Sequence, residues 1–241
     1  MIIKSETGTG KTLGFILALL NQFEPAAAAA TATEPGVLTG VIMVPTRELA
    51  FQTYQWVRYF AGVAGEGEID KVIQVLVNDG EHNNAQQMRL LEAVTPRIIV
   101  GTAHRLEGLA LEGKLPSLFR VERVLVDEVD KVLGALTSHA PQKKVLNREL
   151  HPKPGAVVLD YLLENARNKY QTVVASATAN AATRSLLMQR KWVKNPVRIQ
   201  LCEDDVSIPS TLTHRFVFME AEGDRIELLK RLAKDPSFTA G

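Results

Sequence analysis

A chain of 241 residues, 46% hydrophobic and 23% charged, has the composition of a globular protein and the length to bury a sizeable core, in one large domain or two small ones. Its net charge of +1 at pH 7 excludes a global pull toward nucleic acid or an anionic membrane, so such partners must be read from local sites. Cys202 is the only cysteine, which excludes an internal disulfide and suits a reducing, intracellular compartment.

In chain order, β-branched runs alternate with longer amphipathic stretches, the pattern of a mostly parallel sheet with helices on both faces. Strands are expected at 1–4, 41–44, 72–77, 98–100, 121–126, 172–175 and 197–201. Helices are expected at 11–22, 47–60, 84–93, 105–112, 157–169 and 180–190. Runs such as "RVLV" at 123–126 suit strands buried on both sides. Two stretches break the rhythm. The alanine-rich segment 24–36 reads as a surface loop. The polar, basic segment 134–155 reads as a solvated insertion, in which Lys143, Lys144, Arg148 and Lys153 offer a nucleic-acid contact. The apolar run Leu13–Leu20 could pass for a secretory signal, but that reading leaves "GTGKT" unexplained. No apolar run approaches the roughly 20 residues that span a bilayer, so no membrane partner is expected.

"SETGTGKT", Ser5–Thr12, lies between the first strand and the first helix, the context of a phosphate cradle. Gly8 and Gly10 let the backbone approach phosphates closely, and successive N–H groups at a helix start hold negative charge. Lys11 would reach the β/γ phosphates, and the Thr12 hydroxyl would hold Mg²⁺. "VLVDEVDKV" then delivers Asp127 and Glu128 to the C-terminal edge of the sheet, where ligands sit in open α/β folds. Asp127 fits a Mg²⁺ partner, and Glu128 is placed to orient or deprotonate a water aimed at the γ-phosphate. "PTRELA" (Pro45–Ala50) and "SAT" (Ser176–Thr178) follow strands on the same edge, where either could also be a helix N-cap.

Together these motifs resemble, in order and rough spacing, the DEAD-box family of ATP-dependent RNA helicases. "SETGTGKT" resembles motif I, whose opening residue is normally Ala or Ser. "PTRELA" matches motif Ia, "DEVD" resembles motif II and "SAT" matches motif III. The resemblance covers nearly the whole chain and implies the first RecA-like P-loop domain of such an enzyme. It implies ATP with Mg²⁺ as cofactors, bound by Ser5, Glu6, Thr7, Gly8, Thr9, Gly10, Lys11 and Thr12. Lys11, Asp127 and Glu128 would be catalytic, with Thr12 and Asp127 on the metal. It also implies RNA backbone contacts from Pro45, Thr46, Arg47, Gly80, Thr102 and Arg105, with weak sequence specificity. Asp130, Ser176 and Thr178 would couple the nucleotide to RNA.

The departures fall mostly on the RNA side. Ala103 and His104 replace the usual Pro-Gly of motif Ib, and Asp79 precedes Gly80 where the family has a second glycine. A carboxylate there would repel phosphate. Val129 replaces the alanine of the motif's name, one apolar residue for another. The ATP site is therefore expected to be better kept than the RNA site.

On this reading residues 1–205 form the ATP-binding domain, and 206–241 a linker and the start of a second RecA-like domain. The family's upstream adenine-reading motif and downstream arginine finger are expected to be absent. The chain alone should then bind nucleotide, hydrolyse it slowly if at all, and not unwind RNA. The relaxed motifs and the insertion resemble organellar, ribosome-assembly members, which leans toward a mitochondrial location and ribosomal particles as partners. Two alternatives stay open. One is a non-catalytic RNA- or ribosome-associated module. The other is a different P-loop ATPase, which leaves "PTRELA" unexplained.

Overall fold

The computed structural model describes residues 1–5, 9–20, 37–62, 65–137, 139–166, 170–178, 180–200 and 225–234. Seven strands form one sheet: β1 (Ile2–Lys4), β2 (Gly40–Val44), β3 (Ile73–Leu76), β4 (Ile98–Thr102), β5 (Arg123–Val126), β6 (Gln171–Ser176) and β7 (Arg198–Gln200). Their spatial order is β3-β4-β2-β5-β6-β1-β7, and every pairing is parallel. The register runs Val41 opposite Ile99 on one side and Val124 on the other, with the same offset to the strand ends.

Parallel strands need crossovers, and the described helices supply them. They are α1 (Lys11–Leu20), α2 (Arg47–Ala61), α3 (Glu66–Val72), α4 (Gly80–Ala93), α5 (Ala103–Leu111), α6 (Val129–Leu133), α7 (Gln142–Leu150), α8 (Pro154–Asn165), α9 (Ala181–Gln189) and α10 (Arg225–Leu232). Alternation along β2 splits the core in two. Val41 and Met43 join Leu106 and Leu109 of α5 and Leu159 and Leu162 of α8 on one face. Ile42 and Val44 join Ile16 and Leu19 of α1 and Val57 of α2 on the other. All five β2 residues are buried, which is why this strand reads as an unbroken apolar run.

The elements differ from the expected ones mainly at their ends. The run expected as a strand from Val72 is entered through α3, and Gln74 inside β3 is buried because its Nε2 donates to Asp70 O (3.1 Å) and Val94 O (2.8 Å). α4 starts at Gly80, four residues early, and α8 at Pro154, whose ring suits a first-turn position. The insertion 134–155 contains a helix, α7, none of whose residues is buried. Arg148 anchors it by donating from Nη1 to Leu133 O (3.1 Å) and Gly134 O (2.8 Å) at the end of α6, so this guanidinium serves the protein's own backbone. The segment 24–36 lies outside the described residues.

The chain divides into two compact units, Met1–Asp205 and Val206–Gly241. The first holds the sheet. In the second, α10 is the described element. Among the described residues no helix is long and apolar enough to cross a membrane.

Candidate nucleotide and nucleic-acid site

Because all seven strands run the same way, every strand–helix turn opens on one edge of the sheet. That edge carries the motifs in spatial order. Asp79–Gly80 follow β3, Thr102–Arg105 β4, Thr46–Arg47 β2, Asp127–Glu128 β5, Ser176–Thr178 β6 and the Ser5–Thr12 loop β1. The phosphate-type residues thus occupy one half of the edge and the residues assigned to RNA the other. β2 and β5 meet at the boundary, where the Asp127 N–H donates to Met43 O at 3.0 Å.

The loop is built from its own hydroxyls and backbone. Ser5 is fully buried; its N–H donates to Ser176 O at 3.3 Å, and its hydroxyl hydrogen-bonds that of Thr9. This explains why a small hydroxyl residue opens the loop. Gly10 has φ +82, a conformation that favours glycine, and a Cβ there would meet nothing within 4 Å, so the constraint is backbone angle. Lys11 heads α1 and its Nζ donates to Ser5 O at 2.6 Å. Glu6, Thr7 and Gly8 lie outside the described residues.

Thr12 and Asp127 come together across the edge: Thr12 Oγ1 donates to Asp127 Oδ2 at 2.5 Å. Asp127 is 4% exposed, and its other carboxylate oxygen accepts the Glu128 N–H at 2.9 Å. A hydroxyl and a buried carboxylate side by side fit Mg²⁺, which takes oxygen ligands, usually one or two carboxylates, and shares the rest of its shell with phosphate and water. Among the described residues no cluster of three acidic, His or Cys side chains forms. Glu128 turns the chain with φ 47, ψ 50, and its Oε2 lies 2.6 Å from Lys131 Nζ. The hydrogen bond and charge of Glu128 raise the Lys131 pKa.

Asp130 ties the turn after β5 to the end of β6, within the phosphate half of the edge. Its carboxylate accepts the hydroxyls of Ser176 and, at 2.7 Å, Thr178, while the Thr178 N–H donates to Ser176 Oγ at 2.9 Å. Burial pushes its carboxyl pKa up, but the Ser176 and Thr178 hydroxyls, a backbone hydrogen bond and the nearby Lys131 charge together hold it below the ordinary value.

On the other half, Thr46 caps α2, accepting the Leu49 N–H at 3.3 Å, so its N-cap role is structural. Pro45 lies in the turn between β2 and that cap. Gly80 has φ +81 at the start of α4. Thr102 precedes α5 with no side-chain cap bond, and Arg105 Nη2 donates to Asn84 O at 3.3 Å while its Nε is buried with no hydrogen-bond partner among the described residues. Arg47 Nη1 lies 2.6 Å from Asp79 Oδ1. The sequence flags Asp79 as a hazard to phosphate. That it pairs with Arg47 depends on β2 and β3, which flank β4, ending side by side, and no local pattern encodes that. Asn83 and Asn84 also escape sequence reasoning, whereas the i,i+3 spacing of Glu128 and Lys131 could have revealed their pair.

A model of the DEAD/DEAH box helicase family matches residues 1–186. The chain belongs to this family. It is 26% identical over 226 residues to DEAD-box ATP-dependent RNA helicase 56 of Oryza sativa subsp. japonica, covering 93% of this chain and 44% of the relative. To ATP-dependent RNA helicase sub2 of Aspergillus fumigatus it is 27% identical, over 99% of this chain and 47% of the relative. To ATP-dependent rRNA helicase rrp3 of Aspergillus oryzae it is 27% identical, over 89% and 38%. The chain spans less than half the length of these curated relatives. Among solved structures, S. cerevisiae Dbp5 bound to RNA and ADP BeF3 aligns with TM-score 0.58 at 24% identity, over 86% of this chain and 43% of that one. A DEAD box protein from Methanococcus jannaschii aligns with TM-score 0.56 at 20% identity, over 97% and 52%. These structures establish the shared fold, a RecA-like helicase domain with a parallel sheet between helices.

Proposed function

We propose that residues 1–205 of this DEAD/DEAH box helicase chain are the ATP-binding half of an ATP-dependent RNA helicase or RNA-remodelling core. The observation that carries this reading is the Thr12–Asp127 hydrogen bond across the sheet edge, beside Lys11 and one strand from the Asp130–Ser176–Thr178 link. The loop N–H groups and the start of α1 would bind the phosphates, with Lys11 moving from Ser5 O to a phosphate oxygen. Thr12 and Asp127 would hold Mg²⁺, which neutralises charge on the phosphates when bound. Glu128 would orient the attacking water and take its proton at Oε2, released from Lys131. Pro45, Thr46, Arg47, Gly80, Thr102 and Arg105 would meet the RNA backbone. The second RecA-like domain, supplying an arginine, would complete the hydrolytic site. The relative named as an ATP-dependent rRNA helicase supports ribosomal RNA as the substrate.

The test is ATP turnover by this chain, with and without RNA, beside the chain joined to a second RecA-like domain. Slow turnover alone and RNA-stimulated turnover in the joined protein are expected. Glu128→Gln in the joined protein should keep nucleotide affinity within about twofold while lowering kcat by on the order of 10²-fold or more, the scale of a lost general base. Undiminished turnover would remove Glu128 from that role. No turnover in either protein, with RNA affinity that ignores nucleotide, would favour the non-catalytic RNA-associated module.

A further inference from the structure

Arg47 opens α2 at the end of β2, and Asp79 immediately precedes α4 beyond the end of β3. Their side chains meet at 2.6 Å, with 48% of the Arg47 side chain and 30% of the Asp79 side chain exposed, so the pair faces solvent and can open without unpacking the core. Other bonds hold the carboxylate side in place. Asn83 Nδ2 donates to Asp79 Oδ2 at 3.2 Å, and the Asp79 N–H donates to Asn84 Oδ1 at 3.1 Å. Asn84 O in turn accepts from Arg105 Nη2 at 3.3 Å. Both arginines assigned to the RNA backbone are therefore tied to one turn, 79–84, and one of them is neutralised by a carboxylate. To a guanidinium, a carboxylate and a phosphodiester are the same kind of acceptor: planar or forked oxygens carrying negative charge.

We propose that Asp79 is an internal competitor for the phosphodiester backbone at Arg47, and that it sets the affinity of this face for RNA. The proposal rests on the RNA reading of this half of the edge. An incoming phosphate must displace the carboxylate, and the displaced carboxylate then stands as a like charge beside it. Arg47 and Asp79 together add no net charge to the interface, so the arginine contributes little until Asp79 is removed. Single RNA phosphates are rejected at this position, and binding depends on contacts made elsewhere along the strand.

The experiment uses this chain and a fluorescein-labelled single-stranded oligouridylate, with anisotropy titrations at several salt concentrations. The proteins are the wild type, Asp79→Asn, Arg47→Ala, the double variant and Arg105→Ala. The amide oxygen of Asp79→Asn can still accept from Asn83, so the start of α4 is kept. Asp79→Asn should bind about three- to tenfold more tightly, from an exposed ion pair no longer broken and a like charge removed. The slope of log affinity against log salt should steepen by about 0.7, one phosphate contact's worth on a single strand. In the Arg47→Ala background the same change should gain at most about twofold. An equal gain in both backgrounds would make Asp79 a plain repulsive charge, and a loss on Asp79→Asn would make it a partner that orients Arg47 toward phosphate; either overturns the proposal while leaving the RNA face intact. RNA affinity indifferent to Arg47→Ala, Asp79→Asn and Arg105→Ala alike would remove the RNA reading of this edge and the proposal with it.

Discussion

At the scale of single residues, this site is decided by who holds which carboxylate. Asp127 is held by a hydroxyl and a backbone N–H, Glu128 and Asp79 by cations, and Asp130 by two hydroxyls. The hydroxyl donors stabilise the charge of Asp130 without neutralising it, and they favour the ionised form over the protonated one. Its folded pKa therefore lies below the ordinary 3.8, and the contribution to stability is present above that value and is lost as pH falls through the lowered folded value. Comparing urea midpoints of wild type and Asp130→Asn should show the variant less stable at pH 7, with the gap closing in strong acid. A gap that stays constant from pH 7 to below pH 3 would mean that the hydroxyls do not prefer the carboxylate. The two hydroxyls come from the turn after β6, so the same experiment reports whether that turn and α6 are held as one piece.

At the scale of elements, close packing explains features that composition leaves open. Gly101, near the end of β4, has no room for a side chain: a Cβ would lie 2.7 Å from Leu76 O and 2.9 Å from Leu106 Cγ. Glycine there lets α5 fold back directly on β4 and brings Thr102 and Arg105 to the edge. Gly101→Ala should cost about 1–3 kcal/mol and lower Tm by several degrees, with nucleotide affinity in the pre-transition range nearly unchanged. An unaltered Tm would show that β4 and α5 can part without penalty. The sequence makes the strands legible because a sheet buried on both faces needs apolar runs such as Val41–Val44, and the phosphate-type residues because they lie consecutively in Ser5–Thr12 and Asp127–Asp130. Less legible is whatever depends on spatial order. α3 hides because its polar residues blur into the loop before β3, and α7 because a helix with no buried residue carries no buried stripe to mark its period. The Arg47–Asp79 pair hides because its partners are adjacent only once β3, β4 and β2 are laid side by side.

At the scale of the whole molecule, the topology puts the residues proposed to hold nucleotide after strands that are remote in sequence. The loop after β1 touches Asp127 after β5, with β6 and its Ser176 lying between them in the sheet. A ligand bridging them cross-links the first turn of the chain to its middle, so binding should stabilise the sheet unit as a whole instead of ordering one loop. Heating should show the sheet unit of residues 1–205 melting as one transition. Mg-ATP at about 100 times its Kd should add about 2.7 kcal/mol, which for a domain of this size raises Tm by about 5–10 °C. The measurement is a calorimetric scan with and without Mg-nucleotide, repeated with Lys11→Ala. Losing the lysine removes a charge-assisted contact of about 1.5–3 kcal/mol, ten- to hundredfold in affinity, and at the same nucleotide concentration should cut the shift by about half or more. A shift undiminished by Lys11→Ala would mean the nucleotide is held elsewhere than on the Ser5–Thr12 loop. A wild-type shift confined to a minor, early transition would mean that the edge binds it without engaging the sheet.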